Sequence, residues 1–251
     1  MPIAIAIAAA IFLIGPIIVV VMMGFSNSPA MQFPPTGFGV GYFIRYFSSP
    51  DWIHATVNSF VIALITSVVT LALVIPAAIA YTRRVIAGKA AFDALMMLPL
   101  IAPQIVVAVA YFGLLSFIGL SGTIAGVVIA HVCLAIPISF LVVSAAFRRL
   151  DRNLERAAMS LGARPLRTFF FVTLPVMRSG ILVGALFAFL ASFNESVVAL
   201  FISGRDAGTL PKRMFESIRM ESDPVLAAVA TLLTSFVFVG VIVSSFMRRN
   251  K

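Results

Sequence analysis

Six stretches of nearly unbroken apolar sequence constrain this chain more than any other feature: 3–25, 55–82, 92–118, 124–147, 179–203 and 225–247. Each is long enough to cross a hydrocarbon layer of about 30 Å, which takes about 20 helical residues. Inside hydrocarbon a backbone must satisfy its own hydrogen bonds, so such segments are helices. Composition agrees, since 61% of the 251 residues are hydrophobic and only 11% are charged. Soluble domains average roughly 45–50% apolar and about 25% charged, and no soluble globule could clothe this much apolar surface. The expectation is an all-α, polytopic protein of the lipid bilayer with six transmembrane helices. It forms a single domain over 1–251 with its core at about 55–247. Met1 is followed almost directly by apolar residues, without a basic n-region or a small-residue cleavage site. The first stretch is therefore read as a retained span.

The formal charge of +9 would suggest nucleic acid in a soluble protein, but in a membrane protein basic residues gather on the cytoplasmic side. With the N-terminus inside, the inner connections hold thirteen cations: Arg83, Arg84, Lys89, Arg148, Arg149, Arg152, Arg156, Arg164, Arg167, Arg178, Arg248, Arg249 and Lys251. Against them stand Asp93, Asp151 and Glu155. In the outer loops Arg45, Arg205, Lys212, Arg213 and Arg219 balance Asp51, Asp206, Glu216, Glu221 and Asp223. The inside is then +10 and the outside neutral, and Glu195, the one acid placed within a span, completes the total. Both termini are expected in the cytoplasm, and nucleic acid is not an expected partner.

Pro76, Pro99, Pro103 and Pro137 interrupt the spans, where each removes a backbone donor and can kink its helix. Gly122/Gly126 and Gly180/Gly184 have the spacing that lets helices approach closely, and packing within the bundle is favoured over contact between subunits. Neither His54 nor His131 has a Cys, Asp or Glu at metal-ligand spacing, and His131 is expected to bond to a neighbouring helix. Cys133, the single cysteine, leaves no intrachain disulfide. Trp52 and Tyr81 fit interfacial anchors near opposite faces. No G-x-x-x-x-G-K-[ST] segment occurs, so the chain is expected to bind no cofactor and to carry out no hydrolysis of its own.

The most informative segment is the inner loop at about 150–178, too polar for lipid yet helically periodic. Asp151 can cap a first turn, and Leu154, Ala157, Ala158 and Leu161 recur at helical spacing as a narrow apolar stripe. Gly162 can stop that helix in a left-handed conformation, Pro165 can start a second short one, and Pro175 is expected to mark its end. Small alanines on an exposed stripe suit another protein's groove, and the surrounding arginines suit steering. An amphipathic loop resting on anionic lipid fits the same pattern.

The run Glu155-Arg156-Ala157-Ala158-Met159-Ser160-Leu161-Gly162, followed after nine residues by Val172-Thr173-Leu174-Pro175, resembles the E-A-A-x-x-x-G-x9-I-x-L-P loop of ABC importer permeases. Val172 stands in place of isoleucine, and Arg156 occupies the usual glutamate position. The resemblance implies a type I importer permease fold whose coupling helix seats in a groove of an ATP-binding subunit. It assigns docking to Glu155, Arg156, Ala157, Ala158, Leu161, Gly162 and Ala163. It also implies that ATP and Mg are used by partner ATPase subunits. A second permease, homologous or identical, and an extracytoplasmic solute-binding protein complete the assembly, in a bacterial inner membrane.

Further segments are similar to the spermidine/putrescine branch: Phe33-Pro34-Pro35-Thr36-Gly37-Phe38, then Asn58-Ser59, Ser192-Phe193-Asn194-Glu195-Ser196 and Leu210-Pro211. A polyamine cargo is implied, with phosphonate, opine, amino-acid-like, ferric iron or thiamine cargo as alternatives. From another class, an ATP-independent secondary transporter or channel is the alternative. Glu195 and Asn194 are candidates for the translocation pathway; for Glu195, a bond to a neighbouring helix is the competing role. In the outer stretch 204–223, Met214, Phe215 and Ile218 predict a short surface helix.

Overall fold

The computed structural model describes residues 2–28, 32–83, 88–220 and 223–249; Arg84, Glu221 and Lys251 of the charge pattern lie outside them. The described residues form twelve α-helices, with no β-strand among them. In chain order these are α1 (Pro2–Gly24), α2 (Gly41–Ser48), α3 (Pro50–Arg83), α4 (Lys89–Ile101), α5 (Gln104–Phe117), α6 (Ile124–Arg148), α7 (Arg152–Ser160), α8 (Pro165–Thr168), α9 (Leu174–Phe193), α10 (Val197–Ile202), α11 (Leu210–Met220) and α12 (Val225–Arg249). A π-helical stretch, Phe169–Thr173, joins α8 to α9. Packing divides the chain into two compact units, one of Met1–His54 with Arg213–Lys251, the other Ala55–Lys212.

Three helical runs among the described residues are long and apolar enough to cross a membrane: Pro50–Arg83, Ile124–Arg148 and the continuous Pro165–Phe193. The pair α4 and α5 adds a fourth if counted as one broken span, and Ile11–Gly24 and Val225–Gly240 are shorter apolar helices.

In the first unit α1 packs on α12. The contact is close because Gly24 has no Cβ; one there would lie 2.9 Å from the Ala227 carbonyl oxygen. The Thr231 hydroxyl donates to the Ala227 carbonyl at 2.7 Å within α12 and reaches the Val20 carbonyl of α1 across the seam at 3.4 Å. The chain after α1 folds back on itself through Asn27 N to Gly37 O at 2.9 Å and Gly39 N to Phe25 O at 2.7 Å. Trp52 is not a belt residue here. It is buried, 6.4 Å from the Tyr46 ring, with the Arg213 guanidinium 5.6 Å above its face.

In the second unit α6 is the central helix: 61% of its apolar window is buried, against 33% for α3 and 17% for Pro165–Phe193. Ile62, Ala108, Leu115, Val127, Ala130, Val198 and Ile202 form a core at one end. Val74, Ala78, Tyr81, Phe140, Val143, Phe147 and Met177 form a second core. Tyr81, expected as an interfacial anchor, is buried in that second core and donates to Asp93 at 2.9 Å. Gly180 and Gly184 let α9 approach α6 closely: a Cβ at Gly184 would fall 2.5 Å from Val143 Cγ2. The expected packing role holds for this glycine pair. Gly122 and Gly126 do not share a helix face, because Gly122 sits in a left-handed turn (φ +83°) before the Thr123 cap of α6.

Three boundaries differ from expectation. The segment 92–118 is not one helix, since α4 and α5 meet at 97° across Ala102 and Pro103. Ala102 is extended (φ −67°, ψ 139°), as the residue before a proline is forced to be, and Pro103 has no N–H with which to continue. Pro76, Pro99 and Pro137 lie inside continuous helices. Pro175 does not end a helix; the run from Pro165 passes through it into α9. The wider π-helical turn just before it absorbs the missing donor and the ring. At the other end 179–203 is not one span, because the helix stops at Phe193 and restarts as α10.

Candidate functional site

The loop between α6 and α9 is built from local signals. Asp151 accepts a hydrogen bond from Asn153 N at 2.9 Å and starts α7. At the other end Gly162 takes φ +87°. Gly162 N bonds to Met159 O at 2.9 Å and Ala163 N to Ala158 O at 3.1 Å, a complete Schellman closure. Pro165 occupies the first turn of α8.

The orientation of α7 is what its sequence does not announce. Its apolar stripe faces away from the rest of the chain: Leu154 and Ala157 are exposed, Ala158 is half-buried, and Leu161 is 90% exposed. The buried residue of the helix is instead Glu155, 7% exposed. One oxygen of its carboxylate, Oε1, accepts from both Arg83 Nη2 at the end of α3 and Thr173 Oγ1 in the π-helical stretch. Arg152 adds a bond from Nη2 to the Thr82 carbonyl at 2.6 Å. A cavity of about 140 Å³ beside the pair is lined by Arg148 and Arg152 as well as Arg83 and Glu155. A carboxylate this buried would be costly without such partners.

Of the residues expected to dock a partner, Arg156, Ala157, Leu161 and Gly162 are exposed, and Ala158 and Ala163 are half-buried. Glu155 is on the inside. Arg156, where the pattern has glutamate, makes no ion pair with any described residue.

Asn194 and Glu195 lie in the interruption between α9 and α10, so they do not share a helix as expected. Asn194 is the exposed C-terminal cap of α9. Glu195 is 8% exposed, and its Oε1 accepts the Val198 N–H at 2.9 Å, which caps the start of α10. A broken helix supplies free N–H groups for a carboxylate, which is the reason the acid is tolerated there. No cation of the described residues pairs with it. His131 makes the expected helix-to-helix bond, from Nδ1 to Ser192 Oγ at 2.8 Å, and Ser192 reaches Thr66 at 3.4 Å. No group of three or more His, Cys, Asp or Glu side chains that could hold a metal occurs among the described residues. Sequence reasoning missed Arg83 and Thr173 as partners of the loop. They lie 72 and 18 residues from Glu155, and no spacing rule links them.

The fold and this loop together are those of an all-helical protein whose longest helices are apolar enough to cross a membrane. Residues 77–250 match the family described as "Binding-protein-dependent transport system inner membrane component". The chain belongs to that family. It is 37% identical over 171 residues to the putrescine transport system permease protein PotI of Escherichia coli K12; the match covers 64% of this chain and 60% of PotI. The chain thus spans about 60% of that relative's length. It is 28% identical over 237 residues to the spermidine/putrescine transport system permease protein PotC of Haemophilus influenzae, covering 94% and 91% of the two chains. Among solved structures it is similar to a bacterial ABC transporter involved in the import of the acidic polysaccharide alginate, with TM-score 0.76, 16% identity and coverage of 99% and 95%. A second structure, the alginate transporter in complex with alginate pentasaccharide-bound periplasmic protein, gives TM-score 0.71 at 18% identity, with coverage of 100% and 93%. At these identities the structures establish the fold alone.

Proposed function

We propose that the chain is a permease subunit of an ATP-driven importer of the bacterial inner membrane and that it carries a polyamine such as putrescine or spermidine inward. The observation that carries this reading is the mounting of α7, which turns its apolar stripe outward and its carboxylate inward. A helix that rested only on its own protein would be turned the other way, since the apolar face is the one that gains by burial. The stripe therefore serves a separate surface. We assign it to the groove of an ATP-binding subunit, with Arg156, Ala157, Ala158, Leu161, Gly162 and Ala163 at the contact.

In this reading six spans cross the membrane and the 150–178 loop and both termini face the cytoplasm. The chain binds no cofactor, and ATP with Mg is used by the partner. A second permease and an extracytoplasmic solute-binding protein complete the machine, the latter in keeping with the family's description and with the periplasmic protein in the second solved structure. Closure of the ATP-binding subunits would move α7 and switch the bundle between outward and inward openings. Asn194 and Glu195 are assigned to the pathway, where an acid without a cationic partner favours a cationic cargo.

The test is uptake of labelled putrescine into proteoliposomes holding the assembled complex and its binding protein. Uptake that requires ATP and saturates with putrescine supports the reading. Uptake by the purified chain without ATP would replace it with a secondary transporter or channel, and ATP-driven uptake of another solute alone would replace the cargo.

A further inference from the structure

The buried Glu155 is unexplained by docking, because a side chain with 7% exposure offers almost nothing to a partner. We propose that Glu155, Arg83 and Thr173 form an internal linkage that carries displacement of α7 to two membrane helices at once. The proposal rests on the reading of 150–178 as the ATPase-coupled loop.

The geometry has three parts. Oε1 of Glu155 is shared by Arg83, the last residue of α3, and Thr173, the last residue of the π-helical stretch that runs into α9. One atom on α7 thus holds both helices, so the helix cannot shift without pulling on each or breaking both bonds. Second, the pair sits where separation is penalised. The Glu155 side chain is 9% exposed and that of Arg83 is 31% exposed, so parting them would strand a mostly buried charge. Third, the receiving segment is a π-helical turn followed by Pro175, a place where the helical ladder is already interrupted and where a change of register is least costly. Arg152, bonded to the Thr82 carbonyl, braces α7 against α3 on the same side. The residues that face outward for a partner and those that face inward for transmission are thus separated on the nine-residue helix.

The experiment measures putrescine uptake per ATP hydrolysed in the reconstituted full complex, together with co-purification of the ATP-binding subunits. Arg83→Gln and Thr173→Val, the latter a change of hydroxyl for methyl at nearly constant shape, are each expected to lower uptake per ATP at least fivefold while the ATP-binding subunits still co-purify. The conservative Arg83→Lys, which keeps a cation for the Glu155 carboxylate, is expected to hold uptake per ATP within threefold of the parent. Uptake per ATP within twofold of the parent in both single variants overturns the linkage, as does loss of co-purification in either one. Leu161→Asp separates the two levels of the argument. If it leaves the ATP-binding subunits bound, the coupled-loop reading fails; if it releases them while Arg83→Gln and Thr173→Val behave as the parent, only the linkage fails.

Discussion

Leu210 donates its backbone N–H to the Ser59 hydroxyl at 2.7 Å across 151 residues of sequence. Asn58, one position earlier, donates to the carbonyls of Asp206 at 2.8 Å and Gly208 at 3.1 Å. Together they pin the stretch before α11 onto α3. Asn58→Ala removes the donor from both carbonyls and is expected to destabilise the protein by about 1–3 kcal/mol. Thermal or denaturant unfolding in detergent would register it, with faster proteolysis in the 203–209 stretch as the local sign. An unchanged midpoint and cleavage rate would show that the pins carry no load.

Gly184 and Gly113 should respond in opposite directions. A Cβ at Gly184 would meet Val143 at 2.5 Å, so Gly184→Leu overpacks the α6–α9 contact and is expected to cost about 1–3 kcal/mol. Gly113, inside α5, has nothing within 4 Å of its Cβ position, so Gly113→Ala is expected to stabilise by up to about 1 kcal/mol. The same unfolding assay reads both.

Gly162→Asp tests the docking loop. The position needs φ +87°, which costs most residues about 1–2 kcal/mol, and a side chain there would project into open space where a partner is proposed to sit. Loss of co-purifying ATP-binding subunits with normal membrane insertion is expected. Normal co-purification would remove the loop from the interface.

Glu195→Gln keeps an oxygen that can accept the Val198 N–H, so assembly should survive. Initial rates of putrescine uptake should fall several-fold as the buried negative charge is lost. Rates equal to the parent across putrescine concentrations would leave Glu195 with its capping role alone.

Much of this was legible in the residues themselves. The apolar segments are long and every one is built of helix, with 92–118 and 179–203 each divided between two, because hydrocarbon length and helical hydrogen bonding are properties of consecutive residues. Asp151, Gly162 and Pro165 mark the ends of α7 and α8 correctly for the same reason: a cap is made with atoms two to five positions away. Pro103 ended a helix as proline can, whereas Pro76, Pro99 and Pro137 did not and Pro175 was bridged by a π-helical turn. Which outcome a proline has depends on neighbours that can absorb a lost bond, and these are not visible in the chain order.

The candidate site divides along the same line. Helical periodicity located the stripe of Leu154, Ala157, Ala158 and Leu161 but could not say which way it faces, since an amphipathic helix can dock on its own protein or on another. Glu155 as a partner-facing residue and Glu195 as a mid-helix acid are natural readings of linear sequence, and the structure places one inside, bonded to Arg83 and Thr173, and the other at a helix break.

The sequence by itself therefore determined the all-helical class, the six apolar segments, the capped helix of the loop and the family, because each of these is written in residues close together along the chain. Only the tertiary structure decided that Glu155 turns inward to Arg83 and Thr173, that Asn58 and Ser59 hold the 206–210 stretch, and that Gly184 packs helix against helix while Gly122 packs a turn against Gly204. Those relationships join residues far apart in sequence, and their free energy comes from excluding water around paired polar groups and from filling space between helices, neither of which exists until the chain has packed.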